Sequence, residues 1–363
     1  MKKKTKIAFL GDIMCGDSFY AMGKGVRRNL CKRGIDFLPE STREILSQHN
    51  AVFANVECVI SDIDQRPRSL RSMQLRASPY AAVLLRSWGV TVANVANNHI
   101  LEHGRKAACD TVKNLEAVGI KVVGAGARKD FSGGLSVAKL NCNDETIEIA
   151  GISMRNEKYS FNDVHRYEMM LFAERCANAV RPCICSIHWG DEYIDRPSHE
   201  QAMFARSLIT SGATAVIGHH PHVVQGIEYS RGNLIAYSLG NFIFNGIWKD
   251  TRWSVILSLT FEGNVIAEAQ LFPIVMDNEY RPHIAAGDQE RTILKEVVRR
   301  NGILRTVADN PHYQSEYEND LLKKTAGFKK HLRLHTVSSI PTQPPIFWPQ
   351  ILARPLKRRI GTW

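Results

Sequence analysis

Three histidines within four positions are the first feature of this sequence that could do chemistry. His219, His220 and His222 follow the apolar run Thr214–Ile217, with Gly218 between. The run predicts a buried strand, and the glycine allows a sharp turn where the strand ends. A core has little use for several imidazoles, whereas neutral imidazoles in one place suit a borderline metal such as Zn, Mn or Fe. The pattern predicts a metal site; the alternative is a hydrogen-bonded histidine loop.

Other side chains that can bind metals follow other predicted strands. They are Asp12 after Ile7–Leu10, Glu57 after Ala51–Val56, Asn98 and His99 after Val90–Val95, and His188 at the end of Cys183–Ile187. The carboxyl ends of parallel strands form the crevice in which ligands bind. Apolar strands need no polar residue where they end, so we expect these side chains to converge with the histidines.

The residue types also predict what the site could do. A carboxylate can bridge two metal ions roughly 3.5–4 Å apart, and imidazoles can fill the outer positions. Asn98 offers a neutral amide oxygen, which leaves residual positive charge on the ion. Its neighbour His99 cannot easily reach the same ion. His99 therefore suits a general acid or a contact to a substrate oxyanion.

The elements that position these residues alternate between strand and helix over the first two-thirds of the chain. This order predicts an α/β fold with parallel strands and crossover helices. Capping boxes are expected at Ser41/Glu44 and Ser198/Gln201, each at the start of a helix. Trp253–Phe261 and Val265–Pro273 are expected to form an antiparallel hairpin.

The chain divides in this prediction into a core of residues 1–275 and an extension of residues 276–363. The extension is expected to pack on the core. It has an amphipathic helix over Asp288–Arg300 and a proline-rich basic segment, Pro341–Pro355, which we expect to cross the body as an extended strap.

Composition excludes several classes of protein. The 363 residues carry a net charge of +11, much of it in the last forty positions, without the aromatic–basic pattern of RNA-binding modules. We therefore expect an anionic small-molecule or polymer substrate and no nucleic acid. No apolar stretch is long enough to span a membrane. Eight scattered cysteines indicate reduced thiols, so a cytoplasmic location is expected.

Six ordered motifs resemble the CapA family of capsule and poly-γ-glutamate biosynthesis proteins. They are GDIMCGD from Gly11, NVEC from Asn55, VANVANNHILEHG from Val92, SIHWGDEY from Ser186, VIGHHPHVVQGIE from Val216 and IAYSLGNFIF from Ile235. The resemblance covers about residues 6–275. That family is similar to calcineurin-like metallophosphoesterases. The resemblance implies an αββα sandwich, two sheets flanked by helices, with one or two divalent ions (Mn, Fe or Zn).

The resemblance also implies a role for each matching residue. Asp12 would bind the first metal, Glu57 would bridge, and Asn98 would bind the second. His99 would be the proton donor. His188, His220 and His222 would complete the ligand set, with the choice between His219 and His220 left open by the sequence.

Arg76, in the LRASP stretch, is a candidate clamp for an anionic substrate, against the alternative of a solvated basic loop. Asp191 and Glu192 could hydrogen-bond to ligand imidazoles, and Glu102 could orient the loop that carries Asn98. Asn241 could tie the histidine loop.

Two functions follow from the sequence. The first is a metal-dependent hydrolase or transferase that acts on a phosphate, amide or poly-γ-glutamate-like anion. The second is a non-catalytic accessory or scaffold protein of a polymer-assembly complex, with a degenerate metal site and partner proteins. Two departures from the phosphoesterase pattern motivate the second: Met14 stands where a histidine is usual, and Glu57 replaces the bridging aspartate.

Overall fold

Two β-sheets packed face to face, with helices on both outer surfaces, form the body of the protein. The computed structural model describes residues 4–63, 73–143, 145–154, 163–230, 232–342 and 345–349. Apolar side chains from both sheets fill the layer between them, including Phe9, Phe53, Ile184 and Ile217. Separate apolar clusters lie between each sheet and its helices. The predicted αββα sandwich is confirmed.

The strands, in chain order, are β1 Thr5–Ile13, β2 Ala51–Val56, β3 Val59–Ile60, β4 Arg76–Ala77, β5 Val90–Asn94, β6 Lys121–Val123, β7 Val137–Cys142, β8 Glu145–Ser153, β9 Cys183–His188, β10 Ala215–His219, β11 Ile227–Ser230, β12 Asn233–Ala236, β13 Asn241–Ile243, β14 Trp253–Glu262, β15 Val265–Met276 and β16 Pro282–Ile284. The α-helices are α1 Val26–Arg33, α2 Glu40–Ser47, α3 Tyr80–Ser87, α4 Gly104–Ala117, α5 Asp163–Ala177, α6 His199–Thr210, α7 Asp288–Leu304 and α8 Tyr313–Ser339.

The first sheet has the order β16-β15-β14-β1-β2-β5-β6, with β13 paired to the far end of β1, and the second has the order β11-β12-β10-β9-β8-β7. At the centre of each sheet the strands are parallel: β1, β2, β5 and β6 in one, and β8, β9, β10 and β12 in the other. Helical crossovers between parallel strands bring their carboxyl ends to one side of the sandwich. The predicted hairpin of β14 and β15 is confirmed.

Past Met276 the chain continues into the core. β16 pairs with the end of β15, and Ile293 and Val297 of α7 join the layer between the sheets. The division of the chain at residue 275 stays a prediction. Most of the proline-rich segment lies outside the described residues. None of the helices among the described residues has the length and apolar character needed to span a membrane.

Only one of the two expected capping boxes exists. At α6 the Ser198 hydroxyl accepts from the Gln201 backbone N–H, and the Gln201 side chain accepts from the Ser198 backbone N–H. At α2 the prediction was wrong. Pro39 is the N-cap there, with no side-chain capping bond, and Ser41 lies inside the first turn. A proline placed before the serine moves the start of the helix upstream, because its fixed φ already suits a helix start.

Replacing Ser198 with alanine should therefore lower the free energy of unfolding by about 1 kcal/mol, the typical value of an N-cap bond. Ser41→Ala is the matched control and should change it very little. Urea denaturation followed by circular dichroism measures both. Equal losses in the two variants would contradict the assignment of the caps.

Candidate metal centre

Polar residues from five strand ends meet in one buried cluster between the two sheets. The first sheet contributes Asp12 from β1, Glu57 just after β2, and Asn98 and His99 in the loop after β5; the second contributes His188 from β9 and His219, His220 and His222 from β10 and its loop. Each is at most 7% exposed. The structure thus brings together all six predicted metal ligands and the predicted proton donor.

Glu57 lies at the middle of this cluster. Its side chain is fully buried, and within the described part of the chain neither carboxylate oxygen has a hydrogen-bond partner. Oε1 lies 3.7 Å from the Nε2 atoms of His99, His188 and His222. These contacts are too long for hydrogen bonds. For His188 and His222 the separation from Glu57 fits two ligands of one ion, because ligands each about 2.1 Å from an ion lie roughly 3–4 Å apart.

Two overlapping groups of ligand atoms are compact enough to hold an ion. One comprises Glu57, His188 and His220, and the other Asp12, Glu57 and His222; within each group all ligand atoms lie within 4.8 Å of one another. Glu57 belongs to both, as a bridging ligand must. The Asn98 Oδ1 atom lies 2.8 Å from His188 Nε2, so the amide oxygen faces the first group. The donor set of carboxylate, amide and imidazole atoms fits a divalent transition metal.

The pKa values of the two buried carboxylates, Asp12 and Glu57, are shifted in opposite directions. Burial raises the pKa of Glu57 well above its ordinary value, and the charge on Asp12 raises it further. Burial also acts to raise the pKa of Asp12, but the imidazoles of His219 and His222 outweigh it and hold that pKa well below its ordinary value. The carboxylate of Asp12 is therefore ionised, whereas burial disfavours ionisation of Glu57 unless a cation lies beside it.

Neutral imidazole is the form that binds metals, and burial favours it at His188. Burial lowers the pKa of His188 well below its ordinary value. His222 donates from Nδ1 to the Asn241 side-chain oxygen at 3.0 Å, which leaves Nε2 directed toward Glu57. Asn241 also donates to the backbone carbonyl of His222. A side chain that fixes the tautomer of a ligand histidine is a common support in metal sites.

His99 is oriented from behind by Glu102. Its Nδ1 donates to Glu102 Oε1 at 3.1 Å, and its Nε2 accepts from the Asn98 amide at 3.2 Å. The ring therefore presents Nε2 to the cluster. His103, which follows Glu102 in the chain, does not orient His99 in this way; its Nε2 contacts the backbone carbonyl of Gln74.

The segment Gly218–His222, called the histidine loop below, has a backbone conformation that few sequences can adopt. A Cβ on Gly218 would lie 1.9 Å from the carbonyl oxygen of Tyr237. His220 and His222 have φ values of +98° and +58°, a region that non-glycine residues rarely occupy and that is enriched at functional sites. The His220 N–H donates to Asp12 Oδ2, which helps to hold the loop.

The two neighbouring histidines occupy different places. His220 joins the ligand group of Glu57 and His188. His219 lies deeper, with its ring stacked on Phe53 and its Nδ1 3.3 Å from Asp12 Oδ1. His220 therefore lies in a group that could hold an ion, whereas His219 contacts Asp12.

Three predicted residues lie away from the cluster contacts. The Arg76 guanidinium lies 3.4 Å from the carbonyl oxygens of Ser61 and Ile63, and it is half-buried. Asp191 accepts from the Tyr317 hydroxyl of α8. Met14, which stands at the position of the usual histidine, is buried in the apolar cluster on the outer side of the first sheet.

Sequence reasoning missed a line of buried amides that supports the cluster. Asn55 donates to Asp12 Oδ1 at 2.9 Å and lies 3.4 Å from His188 Nδ1. Asn94 donates to Asn55 and to the Ser186 hydroxyl, which connects the two sheets. An asparagine near the end of each of two apolar strands was the only signal available.

Comparison with known proteins places the chain among capsule-related proteins. The family model of the bacterial capsule synthesis protein PGA_cap matches residues 6–246. The capsule biosynthesis protein CapA of Bacillus anthracis is 27% identical over 80% of this chain and 72% of its own length. The PGA biosynthesis protein CapA of Bacillus subtilis is 27% identical over 83% and 80%, respectively. A solved structure of a presumed 5′-nucleotidase from Staphylococcus aureus covers 81% of this chain and 58% of its own, with 11% identity and a TM-score of 0.46.

Glu57→Gln should stabilise the metal-free protein at pH 8 by about 1–3 kcal/mol, because folding of the wild type at this pH requires Glu57 either to take up a proton or to be buried as an unpartnered charge. The pKa of Glu57 is higher in the folded than in the unfolded chain, so the wild type loses stability as the pH rises above the carboxyl's ordinary value of 4.5. The gain should therefore shrink toward pH 4.5. Urea denaturation of chelator-treated protein at several pH values measures it.

Glu148→Gln is a control of opposite sign. A hydrogen bond from Arg175 lowers the pKa of Glu148, so its stabilising contribution is present at neutral pH and is lost on acidification. Its replacement should destabilise the protein at pH 8. A loss of stability in both variants would contradict the unpartnered state of Glu57.

Proposed function

The chain belongs to the bacterial capsule synthesis protein PGA_cap family, and from this premise we propose that it is a metal-dependent hydrolase or transferase. Its substrate would be an anion of the phosphate, amide or poly-γ-glutamate class, in capsule or poly-γ-glutamate-type biosynthesis. The observation that carries the proposal is Glu57, a buried carboxylate without a hydrogen-bond partner that faces three imidazole nitrogens. Such a group is costly unless a cation joins it.

In this proposal one or two divalent ions, Mn, Fe or Zn, are held by the six predicted ligands. Glu57 would bridge; Asp12 and His222 would hold one ion, and Asn98, His188 and His220 the other. When bound, the ions supply Lewis-acid activation of water and of the substrate's oxygen. The mixed nitrogen and oxygen donors do not select among the three metals.

The protein's own contribution to the chemistry would come from His99. With Nδ1–H held by Glu102, its Nε2 can carry a proton toward a leaving group or donate to a developing oxyanion. The Asn98 amide that contacts Nε2 keeps the ring at the edge of the cluster. Arg76 is proposed as the anion contact, because a guanidinium can bind a phosphate or carboxylate in bidentate fashion.

A cytoplasmic location and partner proteins of a biosynthetic complex complete the proposal. Cell fractionation and affinity purification of the full chain test these two elements independently of the chemistry.

Metal analysis of the purified protein tests the centre directly. The wild type should bind one or two equivalents of Mn²⁺ or Zn²⁺, and His220→Ala should lose at least one of them together with turnover of phosphodiester or γ-glutamyl substrates. His199→Ala is the matched control, because His199 is an exposed histidine on α6. Full metal content and activity in His220→Ala would refute the ligand assignment.

His99→Asn separates proton donation from metal binding. Because His99 is proposed to donate a proton rather than to bind an ion, the variant should keep its metal while kcat falls by about 10²–10⁴-fold, the usual contribution of a general acid. Metal content by plasma emission spectrometry and steady-state kinetics measure the two effects. Loss of metal in this variant would make His99 a ligand and contradict the assigned role.

Met14 favours a second candidate function, that of an accessory protein with a weakened metal site. Its side chain is buried in an apolar cluster, so this position supplies no nitrogen ligand to the ion near Asp12. An empty site in metal-replete buffer would support the accessory function. A filled site without activity on the substrates above would instead point to a narrower substrate.

A further inference from the structure

Helix α8 lies across the outer side of the candidate metal centre. It follows the part of the chain that the family model matches, and no role has been assigned to it so far. The helix joins two segments that each follow a ligand-bearing strand: one after His188 of β9 and one after Asp12 of β1. Its contacts with these two segments, and with the space between them, suggest a function.

The first half of α8 is held against the segment Asp191–Pro197 by hydrogen bonds and ion pairs. The Tyr313 hydroxyl donates to the Pro197 carbonyl, and the Tyr317 hydroxyl donates to Asp191. Two ion pairs add to this, Arg196 with Asp320 and Lys324 with Asp195. Both pairs are partly exposed, so each is individually weak.

The other end of α8 reaches the segment that follows Asp12. The helix contacts the short 3₁₀ helix Phe19–Ala21. Just beyond α8, Ile340 packs against Met22 together with Phe19 and Met73. The helix and the residues just after it therefore contact both segments, the one that follows β1 and the one that follows β9.

Between these two ends, Phe328 fills the space beside the ligand His222. Its ring stacks on Tyr193 at 4.2 Å and lies 5.5 Å from the ring of Trp248. Tyr193 in turn lies 5.9 Å from His222. Phe328, Tyr193 and His222 line one cavity with Tyr20 and Phe244, and its volume is only about 10 Å³. A cavity of this size holds about one water molecule.

We propose that α8 is a cover over the metal centre and that Phe328 is the plug which must leave its aromatic site before a substrate can approach along His222. The proposal rests on the proposed function, since a cover has a role only where a centre does chemistry. Three observations carry it: the candidate ligands are almost fully buried, the helix contacts the segments after β1 and β9, and the cavity beside Phe328 and His222 is too small for an anionic substrate.

The contacts also explain how such a cover could open. The fastening at Asp191–Pro197 combines partly exposed ion pairs and tyrosine hydroxyl bonds, all of which water can replace. A Cβ on Gly327, directly before the plug, would meet no atom within 4 Å, so the helix is not packed against another element on that side. Displacement of α8 would leave the sandwich and its ligands in place, because the two sheets do not depend on this helix for strand pairing.

The test uses the metal-free full-length protein, so it does not depend on activity. Diethyl pyrocarbonate modifies accessible imidazoles, and peptide mass mapping gives the rate at the His219–His222 loop relative to the exposed His199. Phe328→Ala should raise this rate by about tenfold, because the covered state loses its main apolar contact. Leu322→Ala is the matched control, since Leu322 is a 70% exposed residue of the same helix.

Lys324→Gln is a second variant that loosens the fastening without touching the plug, and it carries the test if Phe328→Ala does not fold. It should raise the same rate less strongly. Equal rates in wild type, Phe328→Ala and Lys324→Gln would overturn the cover, because reagent would then enter by another route.

Zinc uptake distinguishes failure of the cover from failure of the centre. With Zn²⁺ added to metal-free protein, the amount bound at equilibrium tests the centre, and the rate of uptake tests the cover. Faster uptake with unchanged stoichiometry in Phe328→Ala supports the cover. If no variant binds Zn²⁺, the proposed function fails, while the imidazole modification rates still decide whether α8 covers the loop.

Discussion

The candidate site of this protein depends on one constraint, the burial of the Glu57 carboxylate among imidazole nitrogens. Glu57 has lost all contact with water, and no described side chain gives it a hydrogen bond. Desolvation of an ionised carboxylate costs several kcal/mol even after relaxation. A fold that keeps such a group in a ring of imidazole nitrogens 3.7 Å away is stable as an apo protein only with Glu57 protonated. With a divalent ion, the same geometry becomes favourable.

The chemistry is divided between the two sheets. The carboxylates and the amide come from β1, β2 and β5 of the first sheet, and the ligand imidazoles come from β9, β10 and the following loop of the second. A cation at their junction would be bound to both sheets at once. Metal binding and the packing of the sandwich would then be coupled, since a ligand that binds only the folded state stabilises it by mass action. The buried amides Asn55 and Asn94 keep the two sheets in register without the ion.

The positions of the strands along the chain, and of the polar residues at their ends, could be predicted from the sequence, because both follow local patterns. Apolar runs of four to six residues ended in Asp, Glu, Asn or His, and parallel strands bring such ends together. Contacts between distant residues could not be predicted: the Asn55–His188 contact joins positions 133 apart. Helix α8 was missed for a different reason. Its buried residues Tyr313, Tyr317 and Phe328 lie on one face, but none of the ten residues between Tyr317 and Phe328 is buried, so the apolar pattern is too sparse to predict a helix.

The histidine loop shows why a pattern of three imidazoles could not by itself assign its ligands. Side chains alternate between the two faces of a strand, so His219, paired with His188 on β9, is directed between the sheets toward Asp12 and Phe53. His220 would take the opposite direction in a regular strand. Its positive φ breaks the alternation and brings its ring to 4.6 Å from that of His188. The positive φ of His220 therefore gives the cluster a second imidazole next to His188.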